Sequence, residues 1–111
     1  MFIMVSGPYR SGSDDPEVWE KNLQAMNEAA YEVFRKGHIP MIGVNAALPV
    51  IKALGEDKYD EIMMPVSLAL ADKCDAVLRI GGASKGADDE VDVFKKKGLP
   101  VYFDINEIEE L

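Results

Sequence analysis

The residues best suited to chemistry lie in one stretch, Gly81-Gly82-Ala83-Ser84-Lys85-Gly86-Ala87-Asp88-Asp89-Glu90. An apolar run, Ala76-Val77-Leu78-Arg79-Ile80, precedes it, and a helix-like run ending at Gly98 follows. A strand, a glycine-rich turn and a helix start present backbone N–H groups to an anion. Ser84, Gly86 and Ala87 could receive a phosphate or a hydroxyl there, or form an ordinary strand-to-helix turn. Glu90 puts a carboxylate about one turn into the helix. Beside glycine and serine backbone it could act as a nucleophile on a sugar carbon with developing oxocarbenium character. The bland alternative is a helix start decorated with acids, which the helix dipole favours in any case.

A second candidate loop is Ser6-Gly7-Pro8-Tyr9-Arg10-Ser11-Gly12-Ser13. Arg10 could grip a phosphate or carboxylate with two parallel hydrogen bonds, or simply face solvent. Asn45 could hydrogen-bond a base or sugar, although a turn asparagine is the simpler reading. Asp88, Asp89, Glu90 and Asp92 raise the option of Mg²⁺, but consecutive helical residues point in different directions. His38 reads as a surface residue after Gly37. Cys74, Met63 and Met64 read as packing residues, and Trp19 as a residue that could face a subunit interface.

These loops need elements to hold them. Phe2–Val5 is a solid apolar run and reads as a buried parallel strand. Asp14, Asp15 and Pro16 open a helix with an apolar face through Val18, Leu23, Met26, Ala29, Ala30, Val33 and Phe34, and Lys36-Gly37 closes it. His38–Gly43 is a short strand whose Pro40 points to an edge or a strand end. Residues 44–54 fit a loop with some helix, and Gly55-Glu56-Asp57 a turn. Tyr59–Lys73 is a helix that Pro65 would kink or restart. Ala76–Ile80 is the third strand, Glu90–Lys97 a helix, Val101–Phe103 the last strand, and Asp104–Leu111 a short acidic helix. Solid apolar strands alternating with helices predict an α/β fold. The expected form is a small doubly wound, flavodoxin-like or Rossmann-like parallel sheet of four to five strands with helices on both faces. Ligands bind such sheets beyond the carboxyl ends of the strands. The loops Ser6–Ser13, Gly43–Ala46 and Gly81–Glu90 fall there, while His38 and Asp75 fall at the amino ends.

At 111 residues the chain is one domain, 1–111, with a core large enough to fold alone. Its net charge of −8 disfavours a nucleic-acid polymer or an anionic membrane surface as partner. It leaves room for a small phosphorylated ligand in a local cradle. One cysteine cannot make an internal disulfide, so a cytoplasmic setting is expected. No signal peptide and no membrane span is legible.

The ordered set of motifs resembles the nucleoside 2-deoxyribosyltransferase superfamily, in particular its small members of uncharacterised function. Ser6-Gly7-Pro8-Tyr9-Arg10 is similar to the opening loop of that superfamily. Gly37-His38-Ile39-Pro40, Cys74-Asp75-Ala76-Val77-Leu78 and Gly98-Leu99-Pro100-Val101 are similar to its later strand starts. Ser84-x-Gly86-Ala87-x-x-Glu90 is similar to the signature carrying its nucleophile. The resemblance implies that Glu90 attacks the anomeric carbon and holds a glycosyl-enzyme intermediate. It also implies that Ser84 and Gly86 bind sugar or 5′-phosphate, that Gly7–Gly12 closes over the sugar-phosphate, and that the protein is a dimer or larger. Two positions depart. Ser67 stands where the superfamily has an aspartate, which favours hydrolysis over base exchange. The first strand also lacks a tyrosine, for which Tyr9 could substitute. The expected catalytic residues are thus Glu90 and Tyr9. The expected substrate-binding residues are Ser6, Gly7, Arg10, Gly12, Asn45, Ser84, Gly86 and Ala87. No cofactor or metal is expected. The expected activity is N-glycosidic bond cleavage or transfer on a nucleoside or nucleoside 5′-monophosphate. The alternatives are a non-catalytic nucleotide-binding or sensing module and, third, a Mg²⁺-dependent phosphate enzyme.

Overall fold

A computed structural model describes all residues, Met1–Leu111. Four strands form one parallel sheet: β1 (Phe2–Ser6), β2 (Ile39–Met41), β3 (Ala76–Arg79) and β4 (Val101–Tyr102), in the order β2-β1-β3-β4. The helices are α1 (Pro16–Arg35), α2 (Gly43–Leu54), α3 (Tyr59–Ala71) and α4 (Lys85–Lys97). The architecture is the small doubly wound α/β fold that the alternation of apolar strands and helices predicts. β1 lies between β2 and β3, so the chain steps outward to opposite sides from β1. The carboxyl ends of β1 and β3, where Ser6 is in register with Arg79, form the switch point where such sheets open a crevice.

Both sheet faces are covered. Ile3, Val5, Ala76 and Leu78 share one apolar cluster with Met26 and Val33 of α1, with α2 and with Ile108. Met4 and Val77, on the opposite face, cluster with Val91 and Phe94 of α4 and Ala71 of α3. Pro40 lies in the edge strand β2, which its missing N–H requires. No helix is long and apolar enough to cross a membrane.

Five expectations change. Residues 44–54, expected as a loop with some helix, are helical from Gly43 despite Pro49. Pro65 likewise leaves α3 continuous. Both helices are strongly apolar and pack along each other, and that burial outweighs one missing backbone bond per proline. α4 starts at Lys85 rather than Glu90, because Ser84 caps it by accepting a hydrogen bond from Ala87 N at 3.2 Å. The acidic C-terminus makes only a short 3₁₀ turn, Ile105–Glu107, and no further helix. His38 is buried, not at the surface. Its ring bridges the N-terminal ammonium (3.1 Å from Nδ1) and the Glu109 carbonyl (2.8 Å from Nε2), tying both chain ends to the turn before β2.

Phe94 is fully buried between α4 and the sheet. Phe94→Ala removes the largest side chain fixing α4 and is expected to cost roughly 3–5 kcal/mol, read by urea denaturation.

Candidate active site

α4 has a buried stripe, Ala87, Glu90, Val91 and Phe94, at the spacing of one helix face. Glu90 is the only acid on that stripe. Asp88 turns outward to Arg79 (3.3 Å) and Asp89 to Lys85 (2.9 Å), so the acids of this helix diverge rather than converge on one ion. Glu90 is 8% exposed. Its Oε1 accepts a hydrogen bond of 2.7 Å from Ser6 Oγ at the end of β1. Its Oε2 has no hydrogen-bond partner in the protein and borders a cleft of about 210 Å³.

Ser6 Oγ also lies 3.3 Å from the Ala87 carbonyl. The hydroxyl has one proton and two acceptors. With Glu90 ionised, Ser6 donates to the carboxylate. With Glu90 protonated, the carboxyl donates to Ser6 Oγ, which turns its own proton to Ala87 O. Either protonation state is thereby satisfied, as burial demands. Burial pushes the Glu90 carboxyl up to about 7, against the downward pulls of the Ser6 hydrogen bond and the Arg79 charge, with a further push from Asp89.

Two glycines permit this packing. A Cβ on Gly43 would lie 2.3 Å from Ser67 Oγ and 2.9 Å from Glu90 Oε2, so only glycine lets the start of α2 approach the carboxylate. The same distances put Ser67 Oγ within about 5 Å of Glu90 Oε2. Gly81 has a φ of +76°, and a Cβ there would lie 2.7 Å from Pro8 Cδ, which holds the two loops at the carboxyl edge together. Ser11 Oγ donates to Ser84 Oγ at 2.8 Å and links the same loops.

Of the expected residues, Gly7, Tyr9, Arg10, Ser84, Gly86, Ala87 and Glu90 line one cleft, and Ser6 holds Glu90 from beneath. Gly12 and Asn45 lie outside it. Gly12 is at the exposed tip of the first loop, and Asn45 is in the first turn of α2, where its amide donates to Asn27 Oδ1 at 2.7 Å. Arg10 departs furthest from expectation, because it does not stand free for an anion. Its Nη1 and Nη2 donate to the two Glu56 carboxylate oxygens at 2.9 and 3.0 Å. Its guanidinium carbon lies 4.1 Å from the Trp19 ring centre and 3.8 Å from that of Tyr59. Burial works against the Arg10 charge, but the Glu56 hydrogen bond and charge outweigh it and hold the guanidinium more firmly protonated. Glu56 is lowered in turn by the same bond.

The sequence reading missed Tyr59, Met64 and Val44 on the cleft wall, and Trp19 beside Arg10. Tyr59 follows the turn that ends α2, and no local motif marks it. Burial raises its hydroxyl pKa. Cys74 is buried, with its thiol pushed up to about 11 by burial, as fits a packing residue. A wider hollow of about 720 Å³ follows the outer face of α1, but its lining converges on no reactive group.

Compared with known proteins, the chain matches no family model, no curated protein and no solved structure.

The carboxyl of Glu90 gives a signed stability test. Its folded pKa of about 7 exceeds the ordinary 4.5, so folding favours the protonated form. That contribution is complete below about pH 4.5 and is lost as pH rises through 7. Glu90→Gln keeps the Ser6 bond without the charge. It is expected to be more stable than wild type at pH 8, by on the order of 3 kcal/mol, and the gap should close by pH 4.5 in urea titrations.

Proposed function

We propose that this chain cleaves the N-glycosidic bond of a nucleoside or nucleoside 5′-monophosphate, with Glu90 as nucleophile, as a member of the nucleoside 2-deoxyribosyltransferase-like group its motifs resemble. The observation that carries this reading is the posture of Glu90. One carboxylate oxygen is held by Ser6, and the other has no protein partner and borders a cleft at the sheet's switch point. A fixed carboxylate facing a sugar-sized space suits attack on an anomeric carbon. The α4 N-terminus, with Gly86 on the cleft wall, supplies backbone donors for a sugar hydroxyl or a phosphate. Tyr9 and Tyr59 line the same space and carry the hydroxyls nearest in kind to a proton donor for the departing base.

Glu90 is the only carboxylate on the cleft wall, and Ser67 occupies the position beside it. Hydrolysis, which asks less of the leaving-base side than exchange between two bases, is therefore the form of the reaction proposed. A homo-oligomer goes with this reading. α3 carries no charged residue from Ile62 to Ala71, yet Pro65 and Ala69 are exposed and Met64 and Leu68 only half-buried. A cytoplasmic setting, where nucleotides are made and degraded, fits the single buried thiol.

The second reading is a nucleotide-binding module without bond cleavage. It is favoured by the same raised pKa, which leaves Glu90 largely protonated below pH 7 and able to donate a hydrogen bond rather than attack.

One comparison decides between them. Wild type and Glu90→Ala are incubated with a panel of nucleosides and 5′-monophosphates, and free base is followed by chromatography. The expected result is base release by wild type that rises with pH through about 7, as the nucleophile ionises, and falls at least 100-fold in the variant. Release that persists in Glu90→Ala removes Glu90 as nucleophile. A thermal shift with a nucleotide but no base favours the binding module.

A further inference from the structure

The cleft beside Glu90 is too small for a whole nucleoside. At about 210 Å³ it falls below the roughly 300–1,000 Å³ of small-molecule sites. On the far side of Arg10 and Tyr9 lies a second hollow of about 410 Å³, walled by Trp19, Leu48, Lys52 and Glu56 among others. Arg10 and Tyr9 border both spaces, and the Arg10 side chain stands between them.

The Arg10 guanidinium is itself held like a ligand. The rings of Tyr59 and Trp19, which come from separate helices, are centred 3.8 and 4.1 Å from its central carbon, so two aromatic walls pack against the guanidinium. Its in-plane edge is read by Glu56 through two hydrogen bonds. Its Nε, shut away from solvent, has no partner, so the arrangement leaves one donor unsatisfied.

A flat, cationic or donor-rich group packed against aromatic rings, with a carboxylate on its edge, is also how a protein holds a nucleobase. The guanine edge, N1–H beside a 2-amino group, presents the same pair of parallel donors as the two Nη–H groups of Arg10.

We propose that Arg10 plugs a nucleobase seat formed by Trp19, Tyr59 and Glu56, and that a guanine-type base displaces it. Withdrawal of Arg10 joins the two hollows. The sugar then sits at Glu90 and the base lies against the rings with its donor edge on Glu56. The plug makes binding cost the displacement of Arg10, so apparent affinity is reduced by the fraction of molecules in which the seat is closed. The proposal rests on reading the cleft as a nucleoside site, but not on bond cleavage.

Trp19 is the only tryptophan, so its fluorescence reports the seat directly. Wild type is titrated with guanosine and with inosine, which lacks the 2-amino group; neither carries a phosphate for Arg10 to grip. A saturable change in Trp19 emission is expected, with guanosine binding at least about tenfold tighter than inosine. Glu56→Gln, on a residue 64% exposed, should bring the two nucleosides within about threefold of each other. Arg10→Met keeps much of the stem, empties the seat and should tighten guanosine binding. If that variant does not melt cooperatively, the wild-type and Glu56→Gln titrations decide alone. No Trp19 response to guanosine, equal affinity for inosine in wild type, or weaker guanosine binding by a folded Arg10→Met protein each overturns the seat. Base release from nucleosides without a Trp19 response overturns the seat and leaves the glycosidase reading standing. Guanosine binding at Trp19 with no base released from any substrate does the reverse.

Discussion

The hydrogen bond from Ser6 to Glu90 is the contact around which the carboxyl edge of this sheet is arranged. It joins the last residue of the central strand β1 to the inward face of α4, and it gives a buried carboxyl a partner in either protonation state. A carboxyl at this depth without one would be costly. Once it is in place, the neighbours are constrained. α2 must approach with glycine at its first position, and α3 must offer a small residue, Ser67, where a larger one would meet that backbone. α4 must be pinned lengthwise, which its Ser84 cap at one end and buried Phe94 toward the other achieve.

A second charged centre balances the first across the cleft. Arg10, Glu56, Trp19 and Tyr59 tie the first loop to α1 and to the α2–α3 connection. An exposed arginine–carboxylate pair contributes little to stability. Here the aromatic faces partly desolvate the guanidinium, which strengthens both the ion pair and the cation–π contacts. The two centres differ in kind. Glu90 has one oxygen committed and one free, whereas both Nη groups of Arg10 are committed. The asymmetry makes the two walls of the cleft chemically unlike: a carboxyl group with one open oxygen on one side, and on the other a cation already paired with Glu56.

The strands and α1 are legible in the chain because their signals are local. Phe2–Val5 and Ala76–Ile80 are uninterrupted apolar runs but for Arg79, and Asp15-Pro16 is a cap followed by a first-turn proline. Glu90 was legible from its distance to Ser84, although its neighbours Asp88 and Asp89 disguise it as part of an acidic patch. The buried spacing of residues 87, 90, 91 and 94 separates it from them. α2 was not legible as a helix, because Gly43 and Pro49 argue against one and only packing against α3 answers them. His38 looked exposed after a glycine turn, and it is buried because the two chain ends fold back over it.

The sequence by itself determined the α/β class, the parallel sheet, the carboxyl-edge position of the two main loops and the candidacy of Glu90. Those follow from hydrophobic period, caps and glycine placement, all within a few residues of each other. Tertiary structure decided what faces Glu90 and what holds Arg10. Ser6 and Glu90 are 84 residues apart and Arg10 and Glu56 are 46 apart. Tyr59 and Trp19 reach Arg10 from separate helices. No local pattern encodes such pairings, because they exist only once the sheet order has brought the ends of β1 and β3 together and packed the helices around them.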